Sequence, residues 1–183
     1  MAKNDTALAV RQTLRQFQEG YTARDTSALD NFMQLFSRRG DVEMIGIGAT
    51  TRGGSEWFRG PDQVREIVDS DWRFWGEVQL DVDEAQISVS GNTAWISTSG
   101  QLLQNQAFNE AMAFYVSQMK DLLEEEGADP DTRMMEATHF GLRRLRERHK
   151  GEGHAWPLVL TAVLIMEQGN WRFHTIHWSM PVD

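Results

Sequence analysis

The closing stretch, Asn170-Trp-Arg-Phe-His-Thr-Ile-His-Trp-Ser-Met-Pro-Val-Asp183, constrains the fold more than any other part of the chain. It follows a turn, Glu167-Gln168-Gly169-Asn170, and is rich in β-branched and aromatic residues. It stops at Pro181, which cannot donate to a sheet ladder. Strand alternation puts Trp171, Phe173, Thr175, His177 and Ser179 on one side, and Arg172, His174, Ile176, Trp178 and Met180 on the other. Both sets carry large apolar groups, so the strand is expected to be covered on both faces, deep in its sheet. A His and a Ser inside such a strand need partners or a wet cavity, which makes them the first candidates for a site.

The chain before it begins helical. Ala7, Val10, Leu14, Phe17 and Tyr21 recur at 3-4-3-4 spacing and predict a helix over 6–24, with Asp5 or Thr6 as N-cap. Ser27-Ala-Leu-Asp30 resembles a capping box and opens a short helix buried through Leu29, Phe32, Met33 and Phe36. Asp41–Gly48 reads as a strand fading into a loop of Thr50, Thr51, Gly53 and Gly54. Gly60-Pro61 starts a third helix carrying Val64, Ile67, Val68, Trp72 and Trp75.

Strands follow. Val78, Leu80 and Val82 alternate, as do Ala85, Ile87 and Val89, but the two sets are one residue out of phase; a β-bulge near Asp83 and Glu84 would repair this. Ser90-Gly91-Asn92 turns into a strand from Thr93 to about Leu103, and a further strand spans Trp156–Glu167. Helices first and an antiparallel, bent sheet afterwards make an α+β domain.

Asn105–Lys150 does not read as sheet. Phe108, Met112, Tyr115, Met119 and Leu122 share one helical face, and Gly127 ends that helix. Asp129-Pro130-Asp131 caps and starts another, whose Met135, Thr138, Leu142, Leu145 and His149 follow heptad spacing. Acids dominate Asp121–Glu136, whereas Arg143, Arg144, Arg146, Arg148 and Lys150 oppose only Glu147. The expected organisation is one domain over residues 1–183, with a helical insertion at about 105–150.

Bulk properties exclude several function classes. The chain has no cysteine, which removes disulfides and thiolate chemistry and fits a reducing cytoplasm. A net charge of −9 argues against a nucleic-acid partner. The sequence offers no run long and apolar enough for a membrane span and no signal-peptide core. His139, His149, His154, His174 and His177 lack metal-ligand spacing, and no glycine-rich phosphate loop is present, so neither metal nor cofactor is expected. Seven Trp point to a thick aromatic core or subunit interface, or to an aromatic-lined pocket.

Several short segments occur in a telling order: Ala23-Arg-Asp25 with Ala28-Leu29, Asp41-Val42 with Ile45-Gly46, and Trp57-Phe-Arg-Gly60 running into the third helix. Gly91-Asn-Thr-Ala94-Trp95 and Trp171 with His177-Trp178-Ser179 complete the set. This resembles the nuclear transport factor 2-like superfamily, and more narrowly its SnoaL-like branch, akin to the association domain of calcium/calmodulin-dependent kinase. The resemblance implies a cone-shaped half-barrel of curved antiparallel sheet, closed by the first helix, with a pocket on its concave face. It also implies an outer sheet face that commonly pairs two subunits. Ketosteroid isomerase-like members use a Tyr on the first helix and an Asp beyond the first strand's V-E. Those positions hold Phe17 and Met44 here, and neither can move a proton.

Tyr21, Trp75, Trp95, His177 and Ser179 are the expected pocket residues. His177 either orders the core through Ser179, Tyr21 or backbone, orients a ligand, or acts as the catalytic acid/base. The leading expectation is a cytoplasmic homodimer binding a small hydrophobic molecule in the cone. The alternatives are a cyclase, isomerase or dehydratase-type enzyme using His177, and an oligomerisation module. The two helices of 105–150 are expected to rest their apolar stripes on the pocket mouth or on a second subunit, as lid or as brace.

Overall fold

The 3-4-3-4 stripe of the first helix does bury: Val10, Leu14, Phe17 and Tyr21 are all fully inaccessible. In the computed structural model, which describes residues 3–49, 51–52, 54, 56–105 and 108–181, this helix is α1 (Lys3–Ala23), starting ahead of the expected cap. The described residues divide into two compact units, one of residues 3–103 with 155–181 and one of residues 104–154.

In the first unit, α1 is followed by a turn capped by Asp25, whose carboxylate accepts from the Ser27 backbone N–H and hydroxyl. The expected Ser27 cap is therefore replaced by Asp25, two residues earlier. A short helix, α2 (Leu29–Phe32), then leads to β1 (Glu43–Ile45) and β2 (Trp57–Arg59). β2 is a strand that periodicity misses because three residues are too few to alternate visibly. Thr50 and Gly53 of the expected loop lie outside the described residues. The Gly60-Pro61 start opens α3 (Gly60–Phe74).

The sheet runs β2-β1-β7-β6-β5-β3, with β4 also paired to β5. Its members are β3 (Glu77–Leu80), β4 (Gln86–Ser90), β5 (Thr93–Leu103), β6 (Ala155–Glu167) and β7 (Asn170–Ser179). All pairs are antiparallel except β1 with β7, so the curved sheet is mixed where a purely antiparallel one was expected. β3 and β4 occupy the same side of β5, against Gly100–Leu103 and Thr93–Ser97. Between them the chain makes turns at Asp81–Ala85, so the phase change is a break into two strands and not a one-residue bulge. The free edge of β3 is covered by α1: Gln18 donates to the Val78 carbonyl at 2.9 Å and accepts from the Leu80 N–H at 2.6 Å. An amide side chain thus stands in for a missing strand and blunts the edge.

A bulge does occur elsewhere. β7 pairs Thr175 with Val163 and Phe173 with Leu164, leaving His174 as an extra residue. Beyond it the alternation reverses: Trp171 and Phe173 are buried before the bulge, and Ile176, Trp178 and Met180 after it. The single-phase face read from the sequence is corrected accordingly. β7 is covered on both sides along Trp171–Phe173, as expected, but His177 and Ser179 beyond the bulge are exposed, and there only one side is covered.

The second unit is a helical hairpin of α4 (Phe108–Glu124) and α5 (Pro130–Arg148). Gly127 at φ 94° ends the first helix, and the Asp129 carboxylate caps the second by accepting from the Asp131 and Thr132 N–H groups. The Phe108 side chain lies outside the described residues. A Cβ on Gly141 would stand 2.7 Å from Met119 Sδ, and Arg148 donates to the Tyr115 hydroxyl at 3.1 Å, so the helices run antiparallel. Their contact face on α5 is Ala137, Gly141, Arg144 and Arg148, with Glu147 buried between Arg143 and Arg144. The heptad stripe of Met135, Thr138, Leu142, Leu145 and His149 is exposed, with Thr138, Leu142 and Leu145 lining a groove shared with α4. Among the described residues no helix is long and apolar enough to cross a membrane.

Candidate ligand site inside the cone

The concave side of the sheet is lined by rings. Phe17 stands at the centre, within 4.8–6.1 Å of the Tyr21, Phe32, Phe36, Phe173 and Trp178 centroids. α1 and the sheet bring these residues together because each occupies the apolar stripe of its element. Toward the end of α3 the cluster continues through Trp72, 6.3 Å from Tyr21, and Trp75, 5.5 Å from Trp178.

One polar pair interrupts this apolar interior. The Tyr21 hydroxyl donates to Asp71 Oδ2 at 3.0 Å. Tyr21 is fully buried, whereas Asp71 keeps partial solvent access. Burial first, and then the Asp71 carboxylate, hold the Tyr21 hydroxyl well above its ordinary range. Beside the pair, the indole N–H of Trp178 is buried without a hydrogen-bond partner, as is that of Trp72. Unpaired buried donors of this kind are costly in a core that serves packing alone.

The raised Tyr21 pKa makes a pH prediction. The folded chain holds this proton more tightly than the unfolded chain, so the associated stability is complete below pH 10 and is lost as pH rises through the folded value. Alkaline melts should therefore fall more steeply above pH 10 for the natural protein than for Tyr21→Phe. Parallel curves would contradict the pairing.

Of the five residues expected in the pocket, the structure brings Tyr21 and Trp75 into this cluster. Trp95, His177 and Ser179 stand together on the opposite, outer face of the sheet, Trp95 half exposed at 50%. For His177 and Ser179 the bulge at His174 is the reason, since it turns Ile176 and Trp178 inward in their place; Trp95 points outward because Ala94 and Ile96 hold the buried phase of β5. Asp71 is the residue that sequence reasoning passed over. Its signal was its place between Val68, Trp72 and Trp75 on the apolar side of α3, where a carboxylate is out of pattern.

A groove lies beside α1. It measures about 630 Å³ and is lined by Thr13, Gln16, Asn31, Phe32, Trp72 and Trp171, among others. Gly20 makes its wall possible, since a Cβ there would stand 2.3 Å from the Phe32 ring. Phe32 and Trp72 line this groove and also touch the Tyr21 ring, so they separate the groove from the Tyr21–Asp71 pair.

The mixed, curved sheet closed by α1, with rings and a polar pair on its concave side, defines a nuclear transport factor 2-like fold. The SnoaL-like domain model matches residues 10–118, and the chain belongs to that family. Solved structures agree on the fold. A candidate dehydratase of the nuclear transport factor 2-like family from Streptomyces avermitilis aligns over 100% of both chains, with a TM-score of 0.63 and 12% identity. A nuclear transport factor 2-like superfamily protein from Salmonella enterica covers 98% of this chain and 94% of its own, with a TM-score of 0.60 and 14% identity. A ketosteroid isomerase-like protein from Erwinia carotovora atroseptica covers 97% of each chain, with a TM-score of 0.57 and 11% identity. No curated protein matches the chain.

Proposed function

We propose that the protein binds a small, predominantly apolar molecule carrying one hydrogen-bonding oxygen, held among the rings of the cone at Tyr21, Asp71 and Trp178. The observation that carries this reading is the Tyr21–Asp71 hydrogen bond inside the aromatic cluster. Packing alone would be served by a Phe, as it is at Phe17 one turn earlier on the same face. Desolvating a carboxylate and a phenol is costly, and a polar ligand atom gives the expenditure a purpose. Aromatic walls supply apolar contact, the Trp178 indole N–H supplies a directed donor, and the phenol oxygen, its proton given to Asp71, supplies an acceptor.

A second reading, proton-transfer catalysis, is favoured by the same pair. Asp71 would take a proton from the substrate, and the Tyr21 hydroxyl, turning from that carboxyl as it is protonated, would donate to the oxygen on which charge develops. Two of the similar structures are described as a candidate dehydratase and a ketosteroid isomerase-like protein, which fits acid–base chemistry at this pair. In this reading Tyr21 and Asp71 take the role first assigned to His177.

Thermal-shift and Trp-fluorescence titrations with 1-naphthol and 2-cyclohexenone test the proposal. Saturable binding is expected, weakened about 10-fold by Tyr21→Phe or Asp71→Asn through loss of one hydrogen bond. Equal binding by both variants and the natural protein would remove the pair from the site.

A further inference from the structure

We propose that the α4–α5 hairpin is a self-association surface, on which a second copy of this chain docks α5 against α5 in antiparallel fashion about a twofold axis near Leu142. Exposed apolar surface concentrates here. Val116, Leu123, Met134, Met135, Leu142 and Leu145 are all large hydrophobic side chains between 38% and 72% exposed. On α5, Met135, Leu142 and Leu145 belong to the stripe of Met135, Thr138, Leu142, Leu145 and His149, whose 3-4-3-4 spacing is that of a coiled-coil seam. Ala137 and Gly141 are buried in the hairpin, whereas Met135, Leu142 and Leu145 keep about half or more of their surface exposed. Beside the seam runs an apolar groove of about 280 Å³ between the two helices, lined by Met112, Val116, Met119, Leu142 and Leu145 with Tyr115 at its base. It is shaped to receive side chains from a facing helix, and its methionines adapt readily to such contacts.

Charge selects the occupant and its direction. The turn end of the hairpin exposes Asp121, Glu124, Glu125, Glu126, Asp129, Asp131 and Glu136. The opposite end of α5 exposes Arg146 and Lys150. The stripe is also nearly symmetric about Leu142, with Met135 and His149 seven residues to either side. A second copy laid antiparallel sets the acidic end of each α5 on the basic end of the other, whereas a parallel copy sets acids on acids. An interface that is complementary to itself under a twofold rotation is the isologous arrangement that closes a dimer.

The test uses the full chain in sedimentation equilibrium. The natural protein should be a dimer that dissociates more readily at high salt. Leu142→Glu, at a half-exposed position, should weaken association by about 30-fold or more while leaving the melting curve unchanged. The chain has no cysteine, so Leu142→Cys places a single thiol at the proposed axis, and mild oxidation should yield a disulfide-linked dimer. This second variant keeps the proposal testable should Leu142→Glu unfold. A protein that is monomeric at every concentration overturns the proposal. So does a dimer that survives Leu142→Glu and is lost on Trp95→Glu, because the outer sheet face would then be the interface.

Discussion

Phe17→Ala lowers the stability of the sheet unit by about 3–5 kcal/mol, the range for deleting a large buried ring. Five other rings lie within 6.1 Å of the Phe17 centroid, and they come from α1, α2, the segment after it, and β7. Removal leaves a void that these neighbours cannot close together, since they are held by α1, α2, the segment after it and β7. For a chain of this length such a loss corresponds to a fall in melting temperature of roughly 10 °C. Urea unfolding of Phe17→Ala beside Phe17→Leu measures it. The leucine variant should recover about half of the loss, and a cost below about 1 kcal/mol for alanine would show that the cluster is loosely packed.

Gly100→Ala is the second large effect, and its cause is steric. A Cβ at Gly100 would lie 2.3 Å from the Gln79 carbonyl oxygen and 2.9 Å from Leu80 Cα. Both are backbone atoms of the strand paired with β5, so relief requires β3 to move as a whole and to stretch its ladder with β5. Overpacking in well-packed sites costs about 1–3 kcal/mol, and an unyielding backbone neighbour places this case at the upper end. Hydrogen exchange should locate the damage in Glu77–Leu80 and the facing Gly100–Leu103. Gly40→Ala is the control: nothing stands within 4 Å of a Cβ there, and its stability should match the natural protein. If Gly100→Ala behaves like Gly40→Ala, β3 does not pack on β5 as described.

Much of the fold was legible because it rests on local chemistry. Ser90-Gly91-Asn92 and Gln168-Gly169 mark the strand ends of β4, β5, β6 and β7, while Asp129-Pro130 marks the start of α5. What escaped depends on partners distant in sequence. The extra residue at His174 exists only relative to the register of β6 at Val163 and Leu164, and the closing strand has large apolar groups in both phases. Either phase is therefore compatible with its sequence, and only pairing with β6 decides between them. That one residue moved His177 and Ser179 to the outer face and installed Trp178 beside Tyr21.

The site was half legible for a related reason. Tyr21 is read directly from the α1 stripe, but its partner comes from α3, 50 residues on, and nothing local announces the contact. A ketosteroid isomerase-like arrangement is absent at Phe17 and Met44, yet a phenol and a carboxylate do meet in the cone one helical turn further along α1. The hairpin tells the converse story. Its helices and caps were local and therefore visible, whereas the choice of which α5 face meets α4 was settled by Gly141, where Met119 can approach only because no Cβ intervenes.

A ligand held at the ring-lined end of the cone around Tyr21 and Asp71 would lie against Trp178 and near Trp72 and Trp75, and away from Trp95. The most direct measurement is an indole ¹⁵N–¹H spectrum recorded while 1-naphthol is added. The seven Trp give seven indole signals, each assigned by a single Trp→Phe variant. The signals of Trp72, Trp75 and Trp178 should move together and saturate, while that of Trp95, on the outer face, stays fixed. Movement of Trp95 alone, or no movement of the three cone signals up to the solubility of 1-naphthol, would contradict a ligand site at Tyr21 and Asp71.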